Sequence, residues 1–353
     1  MDVITQWFRR NFADQQVVIL LALLALGLVI VLMLGRMMVP FFASLVIAYL
    51  LEAPVRSLGR TGMPRLAAVL LVFAVFLALL FVGFFWLVPL LIKQVTQLIQ
   101  QLPSMIGEAQ EALMALPERY PRLISETQVH EIANTLRAEV VRQAQKLLTI
   151  SMASVLGLVT LLVYLVLMPI LVFFFLKDKD RILQWVQSFL PQERTLASTV
   201  WQEVNKQIGN YIRGKILEIL IVWFVTSITF WLLDLNYAML LGFLVGLSVL
   251  IPYVGAAVVT LPVALVAYFQ WGFEQQFFYV LIAYAIIQLL DGNLLAPLLL
   301  SEAVNLHPVA IIAAILVFGG IWGFLGVFFA IPLATLINAI IKAWPREALS
   351  NQT

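Results

Sequence analysis

Asp291 ends a long apolar run and is flanked by Gln288 and Asn293. An acid at membrane depth is costly and commonly marks a pathway or a proton site, and the two neighbouring amides offer hydrogen bonds to a hydroxylated solute. Asp291-Gly292-Asn293 equally suits a turn at a membrane surface, since all three residues favour turns. Upstream lies Leu250-Ile-Pro-Tyr-Val-Gly255. Pro252 removes a backbone donor and Gly255 tolerates conformations that a β-carbon forbids; Tyr253 stands between them as a third candidate. In hydrocarbon, freed backbone groups must face protein or water, and broken helices supply ion and solute sites in secondary transporters. A packing kink is the plainer account of the same residues. Glu302 and Asn305, with His307, read either as pathway residues or as loop residues, and one His among apolar neighbours assigns no metal. Glu218, one turn into its span from Arg213 and Lys215, reads as an interfacial salt-bridge partner.

The elements that must position these residues are membrane helices. The chain is 63% hydrophobic and 11% charged, with a mean hydropathy of +1.02. Soluble domains carry about 25% charge, so a water-soluble globule does not fit. Several apolar runs reach the roughly 20 residues a helix needs to cross a bilayer, and the alternation of a membrane barrel is absent. The class is therefore an all-α polytopic membrane protein. The net charge of +2 is small, and its basic residues cluster beside apolar runs, which suits topology signals better than nucleic-acid binding. The absence of cysteine excludes disulfides, thiol catalysis and cysteine metal sites.

Val17–Leu34 reads as a retained first span rather than a cleavable signal. Met37–Leu51 and Leu66–Ile92 follow, joined by a polar connector over Glu52–Arg65. These make residues 1–92 an amino-terminal set of three spans. Residues 93–150 carry charges and amides punctuated by Pro103, Pro117 and Pro121, and read as a small helical extramembrane segment. Its stripe Ile132, Leu136, Val140 and Leu147 either packs within the segment or meets a neighbouring subunit. Residues 151–176 form the fourth span. Residues 177–215 read as two amphipathic interfacial helices broken by Pro191. Residues 216–341 hold no Lys or Arg and form the expected transport core, followed by a tail over 342–353.

Between Lys177 and Lys215 there are seven basic residues, and three between Glu52 and Arg65. The positive-inside rule makes both segments and the Arg9-Arg10 end cytoplasmic, with 93–150 periplasmic. A cytoplasmic carboxyl end, indicated by Lys342 and Arg346, then requires an even number of crossings. Either Ala238–Gln270 crosses once as a broken helix, or Val309–Ile341 splits at Gly319-Gly320. The broken helix is favoured, giving about eight membrane helices with broken or re-entrant segments in the carboxyl-terminal half. Gly319, Gly320, Gly323 and Gly326 permit close helix approach or bending. Phosphate loops, paired-His motifs and serine nucleophile arrangements are absent, so neither an enzyme nor a cofactor is expected.

A set of motifs occurs here in order: Phe173-Phe-Phe-Leu-Lys-Asp-Lys-Asp180, Tyr211-Ile-Arg-Gly-Lys215, Ile251-Pro-Tyr-Val-Gly-Ala256, Gln288-x-x-Asp-Gly-Asn-Leu-x-x-Pro297, Gly319-Gly-x-x-Gly-Phe-x-Gly326 and Ala330-Ile-Pro332. Together they resemble the autoinducer-2 exporter family of bacterial inner-membrane proteins, most closely its permease branch, over nearly the whole chain. The resemblance implies a secondary transporter of eight membrane helices that assembles as a homo-oligomer in the lipid bilayer. Some members export a furanosyl signal and others are linked to sodium–proton exchange. The expected function is transport of a small polar solute or signalling molecule. A sodium–proton antiporter is one alternative. A non-transporting scaffold acting through 93–150 is another.

Overall fold

The computed structural model describes residues 39–119, 135, 142, 155–189, 195–252, 254–300 and 306–343. Among these, every regular element is helical. The expected first span, the stripe from Ile132 to Leu147, and the candidates Tyr253, Glu302 and Asn305 lie outside the described residues.

Helix α1 covers Val39–Arg60. The polar connector expected from Glu52 is thus helical as far as Arg60, and the chain turns only at Thr61–Pro64. Gly62 supplies the turn with φ +93°, and Pro64 ends it in an extended conformation just before α2, Arg65–Val82. Helix α2 passes through a π-helical turn, Gly83–Leu87, into α3, Val88–Arg119. No break occurs at the expected limit of Ile92. Its apolar part, Arg65–Met105, is roughly 60 Å long at 1.5 Å per residue, about twice the hydrocarbon thickness, so one end projects beyond it. Helix α4 is Val155–Lys177, and α5 is the short amphipathic Lys179–Ser188.

Helices α1, α2 and α4 share one core built on Ala48, Val55, Ala68, Val69, Val72, Val172 and Leu176. Opposite it, α2 exposes Leu66, Leu70, Val75 and Leu79, and the π-helical turn after it exposes Phe85 and Trp86. A soluble surface does not carry an apolar face of this extent; a lipid-facing helix requires one.

Helix α6, Thr195–Leu232, runs unbroken through residues 215 and 216. The second interfacial helix and the following span are therefore one element. A tight turn leads to α7, Ala238–Ser248, and a corner leads on to α8, Val254–Trp271. Gly242 packs on Ser227, and Gly246 on Trp223 and Ile219, so α7 is antiparallel to α6. Helix α8 then returns. Gln270 Nε2 donates to the Asp234 carbonyl at 2.7 Å, and Gln270 Oε1 accepts from the Asn236 amide at 2.8 Å. This corrects the favoured topology: Ala238–Gln270 does not cross once as a broken helix, but is a hairpin whose two ends meet at one end of the bundle.

Helix α9, Gln275–Leu290, continues through a second π-helical turn, Asp291–Leu295, into α10, Ala296–Leu300. The polar link expected from Asp291 is helical up to Leu300, so a surface turn at Asp291–Asn293 is excluded. Helix α11, Pro308–Trp322, and α12, Phe324–Ala343, form a second hairpin. It folds at Gly323, where φ is +61°, rather than at Gly319-Gly320. A β-carbon on Gly326 would lie 1.8 Å from the Phe318 carbonyl oxygen, so the two legs meet through bare glycine backbone. The two hairpins together remove the parity conflict, because each returns to the end from which it started.

Among the described residues, five helical stretches are long and apolar enough to cross a membrane, and four more apolar helices are shorter. The chain is a multi-pass, all-helical membrane protein.

Candidate functional site

Along α6, Tyr211, Lys215, Glu218, Val222, Thr226 and Phe230 recur every three or four residues on one face, and all are buried. Helical spacing alone produces this stripe, but its middle is charged. Lys215 Nζ donates to Glu218 Oε1 at 3.1 Å and Oε2 at 3.0 Å, and the two side chains are 3% and 2% exposed. Glu218 is thus a salt-bridge partner as its spacing indicated, but the pair lies within the protein and not at an interface with water. Burying such a pair costs several kcal/mol per ion before mutual attraction is counted. The location therefore calls for a reason beyond stability.

Helix α9 and its π-helical turn supply the second wall. Gly214 allows the approach: a β-carbon there would stand 2.5 Å from the Leu299 carbonyl oxygen and 2.9 Å from Leu300 Cδ2. The close contact brings Asp291 within electrostatic reach of both Lys215 and Glu218. The charge of Lys215 therefore acts on two acids, though it is hydrogen-bonded to Glu218. Asp291 opens the π-helical turn, a geometry that recurs at functional sites because the extra residue rotates side chains off the regular helical faces. Asp291 Oδ1 and Gln288 Nε2 are both buried without a hydrogen-bond partner among the described residues. Three residues apart on one helix, they form an adjacent acceptor and donor.

The α7–α8 corner lies at the same depth. The antiparallel register of Gly246 on Trp223 and Ile219 carries the chain beyond Ser248 to the level of Glu218. Tyr284 Oη donates to the Ala256 carbonyl at 2.7 Å, which sets Gln288, one turn further along α9, at the level of Pro252. Pro252 is half-buried and Gly255 buried. A β-carbon on Gly255 would fall 1.8 Å from the Ser248 carbonyl oxygen, so only glycine closes the corner. Its amides are satisfied locally, with Ile251 donating to Ser248 and Gly255 to Ile251.

Of the sequence candidates, the structure thus brings Pro252, Gly255, Gln288 and Asp291 to one level. Asn293 is not part of this group: it is exposed, and its Nδ2 donates back to the Leu289 carbonyl at 2.9 Å. His307 caps α11, accepting from the Val309 amide at 3.3 Å, and among the described residues no cluster of acids and histidines has metal-binding form. Lys215 and Tyr211 were not singled out from the sequence, although both occur in the Tyr211–Lys215 motif. Their signal was the spacing of Tyr211, Lys215 and Glu218, which aligns a phenol, a cation and an acid on the face that also holds Gly214.

Comparison with known proteins agrees with this architecture. The profile of the AI-2E family transporters matches residues 19–346. The chain is 46% identical to PerM of Escherichia coli (strain K12), which is named as a permease, over 100% of both chains. It is 28% identical to YrrI of Bacillus subtilis (strain 168), named as a transport protein, over 86% of this chain and 85% of that one. It is 22% identical to the AI-2 transport protein TqsA of Escherichia coli (strain K12), over 93% and 92%. With a polytopic helical fold, a buried charge cluster and a family match over nearly its whole length, this chain belongs to the AI-2E family of membrane transport proteins.

Proposed function

We propose that the protein is a permease that carries a small polar, hydroxylated solute across the bacterial inner membrane by secondary transport, with its amino and carboxyl ends in the cytoplasm. The observation that carries this reading is the buried Lys215–Glu218 pair beside the half-buried Gln288 and Asp291, whose Nε2 and Oδ1 atoms are buried, at the level of the α7–α8 corner. Ionisable residues at such a depth are retained where a solute or a proton must be met, and interrupted helices commonly build the meeting point. Lys215 neutralises one acid, which leaves Asp291 as the polar anchor or coupling group. Gln288 Nε2 and Asp291 Oδ1 offer a hydroxyl one donor and one acceptor. The two helical hairpins are the movable parts. Each is closed by glycine contacts and joined to the rest through one end, so each is able to shift against α6 without breaking a long helix.

The test is solute flux in proteoliposomes, measured with a panel of labelled neutral and charged solutes under imposed sodium and proton gradients. For the solute carried, Asp291→Asn is expected to reduce flux by roughly tenfold or more, the effect of losing a charge-assisted hydrogen bond of about 1.5–3 kcal/mol. Unchanged flux across pH would remove Asp291 from this role. Proton movement driven by sodium alone, with no solute present, would replace solute transport with ion exchange.

A further inference from the structure

A second polar site lies just beyond the Leu232 end of α6. Four glutamines of α3, Gln94, Gln97, Gln100 and Gln101, face Asn236 and Tyr237 of the α6–α7 turn around a cavity of about 290 Å³. Glu218 is roughly 20 Å away along α6 from the helix end at Leu232, so this cavity is separate from the buried charge cluster. Among the described residues its lining consists of five amides and one phenol, with no charged side chain.

The turn that forms one wall is held in a costly conformation. Asp234 and Tyr237 have φ of +54° and +59°, which is uncommon for non-glycine residues and a genuine outlier for a bulky one. Such strain of about 1–3 kcal/mol per residue persists where the surroundings over-determine it, and it concentrates at functional sites. Here Gln270 holds the turn from both sides, at the Asp234 carbonyl and the Asn236 amide. The result is to press Tyr237 against α3, where its hydroxyl donates to Gln101 Oε1 at 2.6 Å.

The hydrogen bonds also fix what the lining presents. Gln94 Oε1 accepts from the Leu240 amide at 2.8 Å. With the carbonyls of Gln94 and Gln101 accepting these bonds, their NH₂ groups are the donors left to a ligand, while Gln97, Gln100 and Asn236 carry a donor and an acceptor each. A phenol of ordinary acidity is protonated at neutral pH, so Tyr237 keeps its donated bond to Gln101. Paired amides beside an aromatic ring suit vicinal hydroxyls and the C–H face of a small ring. They offer no counter-charge to an anion or a cation. The volume is at the small end for ligand sites and accommodates roughly a dozen non-hydrogen atoms.

We propose that the Gln94–Gln101 cavity is a binding site for a neutral, hydroxyl-rich small molecule of monosaccharide size. Binding there does not depend on the transport reading, and the two fail separately. The experiment is calorimetric titration of the full chain in nanodiscs with ribose, glucose and myo-inositol, and with gluconate and glucosamine as charged counterparts. Saturable binding of at least one neutral probe is expected, with the charged probes at least about tenfold weaker. Gln97→Ala and Gln100→Ala are expected to weaken that binding severalfold each with an unchanged melting temperature, because both side chains are exposed. Asp291→Asn is expected to leave it intact. The proposal is overturned if none of the three neutral probes saturates, if the charged probes bind as tightly, or if both alanine variants bind like the parent chain.

Discussion

Lys215 illustrates why a single side chain matters in this core. Among the described residues it is the cation paired with Glu218, and its charge also acts on Asp291. Replacing it with Met would leave two acids facing one another in an apolar setting, and breaking a buried pair costs about 3–5 kcal/mol. Lys215→Met is therefore expected to lower the unfolding free energy of the detergent-solubilised protein by about that amount. The double variant Lys215→Met with Glu218→Leu removes both charges and is expected to recover most of the loss, because paired replacement by apolar groups is often neutral. Denaturant titration of the three proteins checks this. If the single variant were as stable as the parent, the pair would be incidental to the packing. The sequence shows Glu218 and Lys215 three residues apart, a spacing that serves equally well on a solvated face. It does not show that α9 and α10 close over them, because Gly214 makes that contact from one helix and Leu299 and Leu300 from another.

Helix limits were legible where composition changes abruptly, and misread where a helix simply continued. Val254–Trp271 and Gln275–Leu290 follow their apolar runs almost residue for residue. By contrast, α1 carries Glu52, Arg56 and Arg60 within its last turns, and α3 carries Lys93 and the glutamines within an unbroken helix. Polar residues mark where a helix leaves the hydrocarbon, which need not be where it ends. The folding back of α7 and α8 was equally hidden, since Pro252 and Gly255 fit both a kinked crossing and a corner; only the contacts of Gln270 with Asp234 and Asn236 separate the two. The elements at the Glu52 end are joined by charge. Glu52, 9% exposed, accepts from Lys179 Nζ at 2.8 Å and Arg56 Nε at 3.0 Å, and Arg65 lies 3.5 Å away. Arg65 also donates to the Leu176 carbonyl at 3.2 Å. One carboxylate thus gathers α1, α2 and the α4–α5 junction. Glu52→Ala is expected to cost about 2 kcal/mol, below the range for a fully buried pair because the cations keep part of their hydration. The loss is expected in thermal stability, with little change in solute binding at either proposed site. A melting curve identical to the parent's would show that the network is not a support.

At the scale of the molecule, the two hairpins decide the topology. In the proposed orientation, which rests on the positive clusters, the Arg60 and Ser188 ends are cytoplasmic. From there α2 and α6 both run to the opposite side, and their far ends do meet, with Gln94 and Gln101 of α3 bonded to Leu240 and Tyr237 beyond α6. The α7–α8 hairpin begins and ends at that same side, after which α9 brings the chain back. The absence of cysteine from the sequence makes this directly measurable, because a single introduced thiol is the only one a maleimide meets. In intact cells, a membrane-impermeant maleimide is expected to label Asn236→Cys and Phe273→Cys, while Arg60→Cys and Ser188→Cys react only after the membrane is opened. A single broken crossing over Ala238–Gln270 demands the opposite for one pair, with Asn236→Cys and Phe273→Cys labelled from different sides. The comparison needs no folded-state assumption about the cysteines themselves, since Phe273 is 73% exposed and Asn236 lies in an exposed turn. If the two positions label together, the glutamine-lined cavity stands on the outer side with the charge cluster roughly 20 Å away along α6, so a solute held at the first would pass along that helix to reach the second.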